Sequence, residues 1–287
     1  MTPRRTIPFF LSLLAFVLAG SVFGNEPDAP FTAEDLSAED RARITHSPAD
    51  TLLPLKVGER LVYKIGWSFF DVGEAVLSLT EDTYEGVPVL KMELEAKTNS
   101  FADAFYKVRN RSTTWILPDM SQSLAYKSEQ REGKRERDTI IHLDPENHTA
   151  TYENLRSGDI LGPIPVTDSI WDPMSITYYV RSLPLEIGQE LIIPTTNGKE
   201  LFLTEVDVVE KKRRKFKIGR RDAILLEPNI KDLGGVFRKS KDASIRFWFS
   251  DDDQQLPLRM ESAVAVGKFW AELVRIEQVP DTDQADL

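Results

Sequence analysis

The residues that could do chemistry are few, and their spacing argues against most chemistries. The three histidines, His46, His142 and His148, show no pairing at the helical or hairpin spacing that a metal site requires, and no His-Glu-x-x-His run occurs. Asp251-Asp252-Asp253 offers clustered oxygens. A calcium loop, however, needs alternating ligands followed by glycine, and Gln254-Gln255 follow here, so the run reads as a polar hairpin turn. Glycoside hydrolysis needs two carboxyls about 5–10 Å apart, and among 46 acids composition nominates no pair. Cysteine is absent, which removes disulfides, thiolate metal sites, thiol nucleophiles and a lipidated cysteine. A Ser–His–Asp triad can assemble from distant positions, but no Gly-x-Ser-x-Gly elbow marks one. No metal or cofactor is expected.

Two features suit binding better than catalysis. Lys211, Lys212, Arg213, Arg214 and Lys215, with Lys217, Arg220 and Arg221, place eight cations in eleven residues of an acidic chain. Such a hairpin could hold an anionic headgroup, a phosphorylated glycan or an acidic partner. It could equally be a solvated hairpin whose charges discourage edge-to-edge pairing. Aromatics gather at Trp67-Ser68-Phe69-Phe70 and at Trp171 with Tyr178-Tyr179. They are either core or the lining of an apolar pocket in a barrel mouth. The second reading makes Trp67, Phe69, Trp171, Tyr178 and Arg181 the candidate ligand-binding residues, with Trp171, Tyr178 and Arg181 near the rim.

The elements that must position these residues are mainly strands. Leu90, Met92, Leu94 and Ala96 alternate with Lys91, Glu93, Glu95 and Lys97, the period of a half-buried strand. The same period recurs in Leu61-Tyr63-Ile65-Trp67, Thr139-Ile141-Leu143 and Ile245-Phe247-Phe249. Turn chemistry separates these runs at Glu85-Gly86, Gly133, Asp144-Pro145-Glu146-Asn147 and Asn197-Gly198. On the order of eleven antiparallel strands follow. One helix is marked over 173–182, with Asp172 as cap, Pro173 at the first position and Pro184 as stop; a second is expected over Ser100–Tyr106 with Ser100 as cap. Long antiparallel sheets need their edges paired or covered. The expected fold class is therefore all-β: a large curved sheet forming a closed or nearly closed β-barrel-like domain, with one or two short helices. One domain over 51–279 is expected, with a pair of sandwiches split near 155–165 as the alternative.

Charge is unevenly distributed. The 287 residues carry 36 Lys and Arg against 46 Asp and Glu, a net −10. The first 24 residues hold two arginines and no acid, so the remainder carries 34 against 46, or −12. Those 24 residues read as a secretory signal, with Arg4-Arg5 before an apolar Ile7–Ala19 core and small residues at Val22 and Gly24. Residues 25–50 hold seven acids, two arginines and three prolines, the composition of a solvated, disordered arm, and 280–287 form an acidic tail. The acidity argues against nucleic acid as a partner.

Three patches together resemble the DUF3108 domain, a family of exported bacterial proteins of unknown function. The first is Val57-Gly58-Glu59-Arg60-Leu61-Val62-Tyr63, then Trp67 and Val72-Gly73-Glu74-Ala75. The second is Asp172 through Ile176-Thr177-Tyr178-Tyr179-Val180-Arg181 with Gly188. The third is Ile245-Arg246-Phe247-Trp248-Phe249-Ser250-Asp251, then Leu256-Pro257-Leu258 and Val266-Gly267. The resemblance spans roughly residues 55–278 and implies a β protein of the periplasm or cell envelope of a Gram-negative bacterium. It carries over no catalytic residue. The expected role is binding: a carrier or sensor for an amphiphilic or glycan-like envelope component, monomeric and at most in peripheral contact with a membrane. Two alternatives stand, an interaction scaffold that uses the arm and the basic hairpin to engage another envelope protein, and a carboxylate-dependent hydrolase.

Overall fold

A computed structural model describes residues 30–46, 55–229, 244–264 and 267–279. The signal over 1–24, the tail from 280 and the ends of the arm lie outside the described residues. Fourteen strands form one antiparallel sheet. They are β1 (Glu59–Trp67), β2 (Phe70–Tyr84), β3 (Val87–Thr98), β4 (Arg109–Ile116), β5 (Ser123–Glu132), β6 (Arg135–Asp144), β7 (Thr149–Asn154) and β8 (Ile160–Pro165). After a crossing segment come β9 (Glu190–Thr196), β10 (Leu201–Phe216), β11 (Gly219–Pro228), β12 (Ser244–Ser250), β13 (Pro257–Val264) and β14 (Gly267–Gln278). Period two does what the sequence predicts on β3. Leu90, Met92, Leu94 and Ala96 are buried, while Glu95 and Lys97 face water.

The order places the first and last strands at the centre. β1 pairs with β14, from Glu59↔Gln278 to Trp67↔Phe269, and the sheet grows outward by hairpins to β8 on one side and β9 on the other. The sheet is not closed, because β8 and β9 do not pair with each other. The connection between these edges explains why. Trp171 donates its N–H to Pro194 O at 3.1 Å and accepts from Thr196 N at 2.9 Å, while Ile170 O accepts from Ser123 N at 3.1 Å. The segment thus bonds to β9 on one side and to β5 on the other, filling the gap that closure would have filled. The Asn197-Gly198 turn helps to plug it. Gly198 has φ +79, and a Cβ there would come within 3.0 Å of Ile141 and Tyr152 on β6 and β7, so glycine permits both the turn and the close approach.

The helices are short. α1 (Ala38–Arg43) belongs to the acidic arm, α2 (Ser100–Asp103) joins β3 to β4, and α3 (Ser175–Arg181) follows the crossing segment. Asn99, not Ser100, caps α2, accepting from Ala102 N at 2.9 Å. α3 starts two residues later than expected, with Met174 and not Asp172 at the cap position, yet Asp172 still serves its start, its Oδ1 accepting from Met174 N at 2.8 Å and Ser175 N at 3.0 Å.

The arm is a correction. Over residues 30–46 it is folded against the sheet instead of solvated. Its acids act as caps: Asp35 and Asp40 complete capping boxes with Thr32 and Ser37 around a 3-10 turn and α1. Ala33 and Leu36 are buried, Thr45 N donates to Ile192 O at 2.8 Å, and Leu201 N donates to Phe31 O at 2.7 Å. The arm thereby covers part of the β9 edge, whose unpaired groups would otherwise invite intermolecular pairing.

Candidate functional site

The inward row of β1 begins with a charge. Glu59 precedes Leu61, Tyr63 and Ile65 on the face that looks into the curved sheet, and it is buried. A buried carboxylate needs a partner, and α3 supplies one. Arg181, with no exposed surface, donates from Nη1 to Glu59 Oε1 at 2.7 Å and from Nη2 to Oε2 at 3.1 Å. Its Nε donates to Gln254 O at 3.2 Å, and Gln255 Nε2 donates back to the carbonyls of Arg181 and Leu183. The Tyr178 ring lies 4.9 Å from the guanidinium. Burial acts to lower the Arg181 pKa, but the hydrogen bonds and charge of Glu59 together with the Tyr178 and Tyr63 hydroxyls hold the group above its ordinary value. Burial drives the Tyr63 and Tyr178 hydroxyls upward.

A second polar hub anchors the other end of α3. Asp172 is fully buried, and its Oδ2 accepts from the hydroxyls of Thr114 on β4 and Ser123 on β5. α3 is therefore pinned inside the sheet from both ends. Trp171 stacks on Tyr179 with centroids 4.1 Å apart, completing its apolar packing.

Between α3 and the sheet lies an apolar cavity of about 110 Å³. Tyr63, Leu77 and Leu94 form its floor, Met174 and Ile176 its helical wall, and Phe247 its edge. A pocket for a whole small ligand is usually about 300–1,000 Å³, so this space admits a narrow apolar group.

The residues predicted to line one pocket do not converge. Trp171, Tyr178 and Arg181 are buried, so none stands at a rim. The reason is that α3 lies within the concave sheet instead of across an open side. Trp67 ends β1, eight residues from Glu59, or roughly 26 Å along an extended strand. Phe69 is 97% exposed and is not among the residues lining the cavity under α3. Sequence reasoning missed an inward polar row on the neighbouring strands. Asn110, Ser112 and Thr114 on β4 and Ser128, Gln130 and Glu132 on β5 are all buried. Asn110 Nδ2 donates to Glu132 Oε1 at 2.9 Å. Their period-two spacing is the signal in the sequence, but a polar row at that period looks the same whether it faces the interior or water.

The basic hairpin is largely engaged within the chain. Because β11 pairs with β12 only from Ala223 to Leu226, its tip projects beyond that neighbour. The tip reaches β13 and β14, where Glu261 and Trp270 pair across one face and Arg259 faces Glu272. Arg214 meets Glu261 at 3.3 Å and stands 4.4 Å from the Trp248 ring, while Lys217 N donates to Glu272 Oε1 at 2.6 Å. Lys211 pairs with Asp251 at 3.0 Å, Lys212 with Glu210 at 3.9 Å and Arg213 with Asp222 at 3.6 Å. Lys215 is exposed beside Arg220.

The Asp251 run is the polar turn expected, with Asp252 Oδ1 accepting from Gln254 N and Gln255 N. His142 shares a 3.0 Å hydrogen bond with the Tyr84 hydroxyl. Among the described residues no group of three histidines or acids is placed to hold a metal ion, and no helix is long and apolar enough to cross a membrane.

The family described as a protein of unknown function (DUF3108) matches residues 62–274. No curated protein matches the chain. Among solved structures, the chain is similar to a β-barrel-like protein of a domain of unknown function, DUF1849, from Brucella abortus. That likeness has a TM-score of 0.49 and 9% identity, over 78% of this chain and 99% of that one. It is also similar to the hypothetical protein CT021 from Chlamydia trachomatis, with a TM-score of 0.34 and 10% identity over 81% of this chain and 93% of that one.

Proposed function

This chain belongs to the DUF3108 family, a family of unknown function, and from that premise we propose that it is an exported cell-envelope binding protein, a carrier or sensor for an amphiphilic envelope component. The signal-like residues 1–24 support export. The observation that carries the reading is the apolar cavity between α3 and the inward faces of the sheet. A fully packed interior offers no place for a guest, whereas this one keeps a space bounded by Leu77, Leu94, Met174 and Met260. Its small volume and mainly apolar lining, with Thr177 and Arg259 among the few polar members, favour the end of an acyl chain over a glycan. Methionine walls adapt to flexible apolar guests at small cost.

A fluorescent fatty acid tests this directly. Ala75 lines the cavity and is buried, so Ala75→Phe fills the space from the sheet side. The wild type is expected to take up the probe with enhanced emission, and Ala75→Phe to lose that uptake while keeping its circular dichroism. Equal uptake by a folded Ala75→Phe variant would overturn the reading.

A further inference from the structure

Four phenylalanines stand exposed along one rim of the sheet, where burial would be the norm. Phe69 in the β1–β2 turn, Phe70 at the start of β2, and Phe101 and Phe105 in and after α2 are all more than half exposed. Three of the rings touch in series. Phe70 and Phe101 stack with centroids 6.3 Å apart, and Phe101 meets Phe105 edge-on at 5.6 Å.

The backbone beneath them is held firmly. Ser68 N donates to Lys268 O at 2.7 Å, and Trp270 Nε1 donates to Ser68 O at 3.0 Å. Asn99 ties α2 to the start of β2, donating from Nδ2 to Asp71 O at 2.8 Å and from its backbone N to Val72 O at 2.9 Å. The rings are thus presented by fixed turns, and an exposed apolar patch of this kind marks an interaction surface.

The charge around the patch runs against that of the whole chain. Exposed Lys107 follows Phe105, exposed Lys268 adjoins Ser68, and the β5–β6 turn brings exposed Lys134 and Arg135 to the same rim. That turn is tied to α2's exit, since Gly133 N donates to Lys107 O at 2.8 Å. Nearby acids are mostly spoken for: Asp103 bonds Arg109 at 2.7 Å and Glu136 bonds Arg156 at 2.8 Å. Asp71, beside Phe70 at the start of β2, is an exposed acid at this rim.

We propose that this rim docks the protein on an anionic phospholipid bilayer. Phe69, Phe70, Phe101 and Phe105 enter the boundary between headgroups and acyl chains, and Lys107, Lys134, Arg135 and Lys268 meet the phosphates. Apolar rings flanked by cations are the pattern of interfacial binding. A protein partner would offer pockets to rigid anchors. Phe69, almost wholly exposed, instead projects alone from a turn tip, a shape that a fluid apolar phase accommodates.

The test is co-sedimentation of the exported protein with phosphatidylglycerol–phosphatidylcholine vesicles and with pure phosphatidylcholine vesicles. The wild type is expected to partition onto the anionic vesicles and much less onto neutral ones. Phe69→Ser with Phe101→Ser should weaken that partitioning roughly tenfold or more, and Lys134→Glu with Lys268→Glu should abolish the preference for anionic lipid. Ala75→Phe, which fills the interior cavity, should leave partitioning unchanged, so failure of the cavity reading and failure of this one are told apart. Matching thermal melts check that the exposed substitutions leave the fold intact. Absence of wild-type partitioning, or partitioning unaffected by the Phe69/Phe101 variant, would overturn the proposal. So would a concentration-dependent dimer that the same variant dissolves without any vesicle binding.

Discussion

Arg181 and Glu59, 122 residues apart in the chain, form a two-bond ion pair inside the curved sheet, with 2.7 Å between Arg181 Nη1 and Glu59 Oε1. The pair joins the last turn of α3 to the first residue of the central strand β1. It therefore fixes how deeply the helix sits and so the size of the cavity beneath it. Removing one partner strands a buried charge, whereas removing both does not. Arg181→Met alone is expected to cost about 3–5 kcal/mol. Arg181→Met combined with Glu59→Leu should recover most of that in urea unfolding. Additive losses in the double variant would show that the two residues act independently.

Asp172 holds the other end of α3. Asp172→Ala leaves the Met174 and Ser175 amides and the Ser123 hydroxyl without this acceptor, while the Thr114 hydroxyl falls back on Ala125 O at 3.1 Å. An unsatisfied buried group costs about 1–3 kcal/mol, so the loss should be about 3 kcal/mol or more. Asp172→Asn, which keeps one acceptor oxygen, should lose less. Equal thermal shifts for the two variants would contradict the shared-acceptor arrangement.

The tyrosines predict an alkaline limit to stability. Burial pushes Tyr84 up to about 12 and raises Tyr63, Tyr126 and Tyr178 as well. An unfolded tyrosine titrates near 10, so the folded state holds these protons more tightly. Their contribution is complete below pH ~10 and is lost as pH rises through the folded values. Tyrosinate absorbance should show Tyr63, Tyr84, Tyr126 and Tyr178, four of the seven tyrosines, keeping their protons beyond the pH ~10 of a free tyrosine until the protein unfolds. A single transition of all seven near pH ~10 in folded protein would refute this.

These interior groups also show what the sequence could reveal. Period-two rows such as Leu90–Ala96 identify strands because alternate side chains must take opposite faces, and the antiparallel all-β class followed from them. About eleven strands were expected where fourteen form; β8 is one that pattern cannot reveal, because four of its six residues are exposed in a row and no alternation exists to read. The arm was misread for a specific reason. Thr32 and Ser37, each three residues ahead of an Asp, are capping-box patterns, but the density of acids was weighed as solvation. The Glu59–Arg181 pair was beyond reach, because no local pattern specifies a contact made across 122 residues. At Phe69-Phe70, alternation required that one ring leave the core, and in the fold both do.

The basic hairpin separates into anchored and exposed cations. Arg214 is bonded to Glu261 and faces Trp248, whereas Lys215 is solvent-exposed. Arg214→Ala is expected to lower stability by about 1–2 kcal/mol, combining cation–π and ion-pair losses. Lys215→Ala should stay within ~0.5 kcal/mol, as surface substitutions usually do. Urea titrations followed by tryptophan emission decide this, and equal midpoints for both variants would contradict the anchored role of Arg214.

The central claim is that the cavity under α3 holds the apolar end of an envelope amphiphile. Native mass spectrometry of the protein purified from its own envelope tests it most directly. The account predicts a retained acyl-bearing molecule on the wild type that is missing from folded Ala75→Phe. A wild-type mass equal to the polypeptide alone, or the same adduct on both proteins, would contradict it.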